Sequence, residues 1–196
     1  MWDLAIQVAF ANLAVGLIPG HNLALISAGI AASGVVGGLR VMAGMTVAKL
    51  VWASAVLGLL PLALAAGPTL LDMARIAGGL ALVSIGLVRL VQGVRAHAAP
   101  RAAQGTIRGG FAGSLINPTT SIFFLSAFPA MAAPVPDAGP EATALLLLAM
   151  ALSNLLALLP WFGLGLAARR LGPRTLRIAS GGFMVAAGAA LASSAL

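Results

Sequence analysis

Between positions 13 and 22 the sequence reads LAVGLIPGHN, an apolar run that is interrupted by Pro19, Gly20, His21 and Asn22. Proline removes a backbone donor and clashes with the preceding turn, and glycine relaxes the chain, so a helix through this stretch should break here. Apolar residues continue on both sides, so the break would lie at mid-membrane. Backbone groups freed there need partners in protein or water, because lipid offers none.

The composition places the whole chain in a membrane. Of its 196 residues 61% are hydrophobic and 8% are charged, and the mean hydropathy is +1.07. The apolar runs are continuous rather than alternating, which favours helices over a transmembrane barrel. There is no cysteine, which excludes disulfides and thiolate metal sites. Short basic loops account for the net charge of +7, so no nucleic-acid partner is expected.

Six apolar spans predict an all-α integral membrane protein whose first and fourth helices are broken. The spans cover roughly residues 4–33, 39–66, 70–94, 107–132, 141–168 and 176–195. Neither a basic segment nor a cleavage pattern accompanies the first span, so we expect it to be retained rather than removed as a signal peptide.

Basic residues follow the first, third and fifth spans, whereas the acidic residues lie at the other ends. The basic set is Arg40, Arg95, Arg101, Arg108, Arg169, Arg170, Arg174 and Arg177, and the acidic set is Asp3, Asp72, Asp137 and Glu141, with Arg75 as the opposing basic residue on the acidic side. The positive-inside rule therefore predicts cytoplasmic basic loops and two outward-facing termini.

The sequence repeats at a displacement of 99 positions. The tripeptide LLP at 59–61 recurs at 158–160, and Pro19 corresponds to Pro118. This pattern predicts two three-helix repeats, residues 1–97 and 107–196, joined by a cytoplasmic linker at 98–106. Each half has an odd number of spans, so the halves lie in opposite orientations, as in many secondary transporters.

The second half has its own break at Asn117, Pro118, Thr119, Thr120 and Ser121. Polar residues in a row inside an apolar span are costly unless they line a cavity. The alternative, for both breaks, is a kink whose polar groups satisfy only the local backbone. The match in position favours one shared cavity, and we expect a substrate site between the repeats.

Lys49 lies inside the second span, nine residues after Arg40. An ionised lysine at the bilayer centre costs on the order of 3 kcal/mol. The side chain could reach partway to the headgroups. Alternatively it faces the central cavity, where it binds an anionic group or releases a proton when desolvated. No acidic residue lies in the interior of a span, because Asp72 and Glu141 stand at span ends. The counter-ion of Lys49 could therefore be a substrate carboxylate.

The remaining polar residues give weaker signals. Thr46, Ser153 and Asn154 could line the same cavity or join helices. Trp52 and Trp161 could be packing residues or gates. No catalytic or metal-binding pattern is present, so we expect no enzyme, no cofactor and no metal site.

These motifs resemble those of the LysE/RhtB family of bacterial amino-acid exporters. The resemblance rests on residues 17–22, the glycines within 38–44, and Asn117-Pro118 followed by residues 123–129. It covers nearly the whole chain. It implies proton-driven export of an amino acid or a related small carboxylate metabolite across the bacterial inner membrane.

The chain departs from the family pattern at three positions. His21 replaces the second proline of Pro-Gly-Pro, Lys49 aligns with the usual aspartate of helix 2, and Thr119 aligns with the lysine that follows Asn-Pro. We therefore expect His21 or Lys49 to carry the proton. The predicted substrate-binding residues are Pro19, Gly20, His21, Asn22, Lys49, Asn117, Pro118, Thr119 and Thr120.

The expected partners are a small-molecule substrate, protons and membrane lipid, and a homo-oligomer is possible. Two alternatives stay open. A metal-ion exporter of the wider superfamily is disfavoured, because cysteines and buried carboxylates are lacking. In a non-transporting membrane scaffold, polar breaks at matching positions would serve no purpose.

Overall fold

The computed structural model describes residues 1–18, 21–94 and 105–167, together with residues 182, 185, 186, 189 and 193. This part of the chain is helical and contains no strand. Seven α-helices follow one another: α1 Trp2–Gly16, α2 His21–Ala65, α3 Pro68–Val94, α4 Ile107–Leu115, α5 Pro118–Ile122, α6 Phe128–Ala132 and α7 Gly139–Ala167. A π-helical turn, Phe123–Ala127, joins α5 to α6, and a 3-10 turn, Pro136–Ala138, precedes α7.

Helix α2 consists of two segments that fold back on each other at Ser33 and Gly34. Gly34 has φ 63° and ψ −154°, a conformation that is essentially restricted to glycine. Residues eight apart in a continuous helix are about 12 Å apart, yet Gly29 and Gly37 lie in contact. The first two predicted spans therefore separate at Gly34, and helix resumes directly rather than at residue 39, because this single glycine reverses the chain.

Both predicted helix breaks are present. Helix α1 ends at Gly16 and α2 begins at His21. Helix α4 ends at Leu115, and α5 starts with Pro118 at a position where its missing N–H is not needed. The helices on either side of the second break are bent by 57°.

The hydropathy of the helices indicates an α-helical membrane protein. Helix α2 and the segment Pro136–Leu166 are long and apolar enough to cross a membrane, and the bent pair Ile107–Leu115 and Pro118–Ala132 adds a third crossing if it is one span. Large apolar side chains such as Phe10 and Leu62 are exposed, a surface that suits lipid rather than water. The sixth predicted span, 176–195, lies outside the described residues apart from the isolated positions.

Glycines bring α4 into backbone contact with the second segment of α2. A Cβ atom at Gly44 would collide with the Ile107 carbonyl, and a Cβ atom at Gly110 would collide with the Val41 carbonyl. Small residues permit such close approach of membrane helices. The contact holds the second break beside the part of α2 that carries Lys49.

Aromatic side chains form the core on the other side of the second break. Phe124 packs edge-on against Phe123 and Phe128, with ring centroids 5.1 and 5.2 Å away, and lies parallel to Trp52 at 6.1 Å. The π-helical turn that contains Phe123 and Phe124 was not predicted from the sequence.

Candidate functional site

The two helix breaks face one cavity. Its polar lining comes from the start of α2, from the middle of α2 and from the second break, and Val15 and Ile18 form the apolar part. The polar lining residues are His21, Asn22, Lys49, Asn117, Thr119 and Thr120. The structure thus brings together six of the nine predicted site residues. Pro118 lies at the start of α5 but does not line the cavity, and Pro19 and Gly20 lie outside the described residues.

Lys49 points into the protein. Its exposed fraction is 3%, and its Nζ donates a hydrogen bond to Asn12 Oδ1 at 2.6 Å. The side chain therefore does not reach toward the headgroups. Within the described residues its partner is a neutral amide, so its positive charge is not balanced by a carboxylate.

Asn12 of α1 is the functional candidate that the sequence reasoning missed. Its exposed fraction is 0%. Besides accepting from Lys49, it donates through Nδ2 to Ser153 Oγ at 2.8 Å and to the Met150 carbonyl at 3.2 Å. Asn12 therefore joins the lysine to both α1 and α7. Its position as a lone asparagine in an apolar span is the signal by which Asn12 could have been identified from the sequence.

A second polar link joins α2 to α7 beside this network. Asn154 Nδ2 donates to Thr46 Oγ1 at 2.9 Å, and Thr46 Oγ1 donates to the Met42 carbonyl at 3.0 Å. Neither residue lines the cavity, and Ser153 does not either. Thr46, Ser153 and Asn154 therefore join helices and do not line the cavity.

The first break is closed by two side chains that donate to the last carbonyl of α1. The Gly16 oxygen accepts from Asn22 Nδ2 at 3.0 Å and from Trp161 Nε1 at 2.8 Å. Asn22 belongs to the same half of the sequence, whereas Trp161 lies in α7. Orphan carbonyls at a helix end need such partners at membrane depth.

The second break repeats this arrangement. The Leu115 oxygen accepts from Trp52 Nε1 at 3.3 Å and lies 3.4 Å from Ser121 Oγ, which also donates to the Asn117 carbonyl at 3.2 Å. Leu115 follows Gly16 by 99 positions, and Ser121 follows Asn22 by the same number. Each break is thus closed by one side chain of its own half and by an indole of the other half.

His21 connects the start of α2 to α4. Its Nε2 lies 2.8 Å from the Gly113 carbonyl oxygen, so this nitrogen carries the proton and donates. The neighbouring Asn117 closes the start of α5, because its Oδ1 accepts from the Thr119 backbone N–H at 3.1 Å. The polar residues of both breaks therefore help to hold their helix ends while they line the cavity.

The cavity is small and carries positive charge. The room for the centre of a water molecule is about 10 Å³, close to the least volume that holds one water. Among the described residues, Lys49 is the charged side chain in the lining, and no carboxylate lines the cavity. This conformation is therefore closed around the site, and an organic molecule requires the helices to separate.

Fold and site together define a helical membrane protein with a closed polar cavity where two broken helices meet. Within the described residues no three His, Cys, Asp or Glu side chains come together as a metal would require.

The family model of LysE type translocators matches residues 13–196, so the chain belongs to the LysE type translocator family. The resemblance seen in the motifs is confirmed. Comparisons with curated proteins and with solved structures gave no match. As a member of this family the protein is a membrane translocator, and members of the family are translocators rather than enzymes.

Proposed function

We propose that this protein is a secondary transporter that exports an amino acid or a related small carboxylate metabolite from the cytoplasm by alternating access. The observation that carries the proposal is the meeting of two helix breaks at one buried cavity that contains Lys49. Breaks at membrane depth are tolerated where they line such a cavity. Transporters commonly bind substrate between repeats in this way.

The proposed architecture is two inverted three-helix repeats, residues 1–97 and 107–196, around a linker at 98–106. Its main support is a pair of contacts at matching positions, from Asn22 Nδ2 to the Gly16 oxygen at 3.0 Å and from Ser121 Oγ to the Leu115 oxygen at 3.4 Å. Side chains at equivalent positions contact equivalent carbonyls, a correspondence that is not expected of two unrelated helix breaks. The six crossings and the opposite orientation of the halves belong to this proposal.

The proposed location is the bacterial inner membrane, with both termini outward. Gly105, just before α4, lies against Ser33 at the turn of α2, so these two points share one side of the protein. Arg40 and Arg108 are exposed close to them in sequence. The positive-inside rule makes this side cytoplasmic.

In the proposed site, Lys49 receives the carboxylate of the substrate in place of Asn12. Charge-assisted hydrogen bonds are about twice as strong as neutral ones, so a carboxylate competes well with an amide for the ammonium group. His21, Asn22, Asn117, Thr119 and Thr120 contact the rest of the molecule, and the backbone at Pro19, Gly20 and Pro118 shapes the breaks.

Proton coupling is assigned to His21 or Lys49. Histidine and buried lysine are the side chains that exchange protons most readily in such settings. His21 bonds to α4 and Lys49 bonds to α1. A change in the protonation state of either residue would therefore alter a contact between helices that separate during transport.

The test is transport by the full chain in liposomes. We expect labelled amino acids or small carboxylates to accumulate under a pH gradient, and Lys49→Met to abolish this accumulation. Arg40→Gln, which removes an exposed charge from the same helix, should transport normally. Flux of divalent ions alone would support a metal exporter, and no flux of any solute would support a scaffold. No observation on the described residues favours either alternative.

A further inference from the structure

The asparagines of the two helix breaks are held in opposite orientations. Asn22 Nδ2 donates to the Gly16 carbonyl at 3.0 Å. Asn117 Oδ1 instead accepts from the Thr119 backbone N–H at 3.1 Å. A carbonyl can only accept and a backbone N–H can only donate, so these partners fix which end of each amide they use. Asn22 is left with its oxygen and Asn117 with its amino group, and both side chains are buried and line the cavity.

The remaining oxygen of Asn22 is a hydrogen-bond acceptor in the cavity. Thr120 adds a second acceptor, because its side chain also lines the cavity. Among the described residues, neither Asn22 Oδ1 nor the Thr120 hydroxyl has a hydrogen-bond partner. An ammonium group carries donors alone and needs acceptors of this kind. The lining can therefore receive a positively charged ammonium group.

Hydrogen-bond donors are available in the same lining. Lys49 has three N–H groups, and Asn12 Oδ1 accepts from one of them. The amino group of Asn117 has no partner among the described residues and supplies further donors. A carboxylate can only accept, and its bond to a charged donor is about twice as strong as a neutral bond. The lining can therefore receive a carboxylate as well.

Lys49 and Asn22 lie close to the same residue at the end of α1. Lys49 Nζ is 3.9 Å from the position that a Cβ atom at Gly16 would take, and the carbonyl of Gly16 accepts from Asn22. One small molecule can therefore contact both side chains. An α-amino acid suits this pair, because one carbon atom carries both its carboxylate and its ammonium group.

We propose that the site recognises the zwitterionic main chain of an α-amino acid through two asparagines with opposite roles. Asn22 Oδ1 and the Thr120 hydroxyl accept from the substrate ammonium group, and Lys49 and Asn117 Nδ2 donate to its carboxylate. The carboxylate balances the charge of Lys49, which lowers the cost of bringing a second cation into the cavity. This inference rests on the proposed transport function and narrows its substrate from small carboxylates in general to those with a free α-ammonium group.

The first experiment compares an amino acid with analogues that lack one of the two groups. Counterflow of each common L-amino acid and of L-lactate, all labelled, is measured in liposomes that contain the full chain, and uptake by protein-free liposomes is subtracted. The fastest amino acid then competes with its 2-hydroxy acid, which lacks the ammonium group, and with its primary amide, which lacks the carboxylate. We expect both analogues to inhibit at least about tenfold more weakly than the unlabelled amino acid, because each leaves buried polar groups unpaired.

Asn117→Asp tests the donor role. Aspartate keeps the oxygen that accepts from the Thr119 N–H and caps a helix about as well as asparagine, but it replaces the amino group in the cavity by an acceptor. The advantage of the amino acid over its amide should fall to within about threefold. Binding is measured in detergent as the concentration that half-saturates the rise in unfolding temperature, so a variant that no longer transports still gives a value.

Asn22→Leu and Thr120→Val test the acceptor role. Each removes an acceptor at nearly constant side-chain size, so the advantage of the amino acid over its 2-hydroxy acid should fall, to within about threefold in Asn22→Leu. If loss of the Gly16 bond prevents Asn22→Leu from folding, Thr120→Val decides, because the Thr120 hydroxyl bonds to no described residue. Gln7→Glu and Thr69→Val make comparable changes at exposed positions of α1 and α3 and should change neither advantage.

The outcomes separate the inference from the proposed function. A 2-hydroxy acid that inhibits as strongly as its amino acid, or uptake of L-lactate without uptake of any amino acid, would overturn the inference and leave the transport function standing. Ratios that stay unchanged in the variants of Asn22, Thr120 and Asn117 would also overturn it. Background uptake of every compound by folded wild-type protein would overturn both.

Discussion

Lys49 Nζ and Asn12 Oδ1 lie 2.6 Å apart in a part of the protein that solvent does not reach. The bond ties the second segment of α2 to α1, and Asn12 extends the tie to α7. A neutral amide is thus the hydrogen-bond partner of the buried ammonium group. This relationship can be tested through stability as well as transport.

Removing Asn12 should destabilise the protein more than removing Lys49. Asn12→Leu leaves an ammonium group without its partner and should lower the free energy of unfolding by about 2 kcal/mol. Lys49→Met removes the charge itself and should have a smaller effect, and combining the two should recover most of the loss. Titration with a denaturing detergent measures all three. Losses that simply add would show that the two residues do not interact.

The indole bonds at the two breaks should differ in strength. Trp161→Phe removes a 2.8 Å bond to Gly16 and should lower stability by about 1 kcal/mol. Trp52→Phe removes a 3.3 Å bond to Leu115 and should cost less. Trp2→Phe is the control, because Trp2 is exposed. Thermal unfolding in detergent gives the order, and the reverse order would contradict the assignment.

Two glycines of α2 should respond in opposite ways to alanine. Gly44→Ala places a Cβ atom against the Ile107 carbonyl and should destabilise by about 1–3 kcal/mol. At Gly58 no atom lies within 4 Å of the position that a Cβ atom would take, so Gly58→Ala should raise stability by about 0.5–1 kcal/mol. Unfolding of the two variants side by side checks the close contact of α2 with α4. Equal effects would mean that these helices are not in backbone contact.

Substitution of His21 or Lys49 should change the pH dependence of transport. His21→Gln keeps a donor for the Gly113 carbonyl but cannot titrate near neutral pH. Lys49→Ala removes the other candidate. Initial rates are measured from pH 5.5 to about 8.5, the range in which a histidine with its usual behaviour changes charge. Unchanged profiles in both variants would exclude both residues as the proton carrier.

The helix breaks could be predicted because they depend on local chemistry. Pro19 and Pro118 each stand beside helix-breaking or polar residues, Gly20 and Asn117, and these combinations mark the two breaks in the sequence itself. Proline alone is not enough, because Pro61 and Pro160 lie inside α2 and α7. The inward position of Lys49 was one of two interpretations, because a long side chain can extend in either direction from the same helix. Packing of α1 and α7 around it decides between them.

The partners inside the site could not be predicted, because they come from distant parts of the chain. Trp161 bonds to Gly16 across 145 positions, and Asn12 bonds to Ser153 across 141. Such pairs depend on how α1 and α7 pack. Asn12 is an example. The sequence shows that an asparagine in an apolar span is costly to bury, but its role as the partner of Lys49 depends on the tertiary fold.

The indoles that close the breaks also bear on how the polypeptide can be divided. Trp52 donates to the Leu115 carbonyl and Trp161 donates to the Gly16 carbonyl. Each broken helix therefore depends on one donor from the other half of the sequence. A fragment of residues 1–97 inserted alone would leave Gly16 with Asn22 as its remaining donor. Complementary fragments are therefore expected to persist in the bilayer only when they are made together.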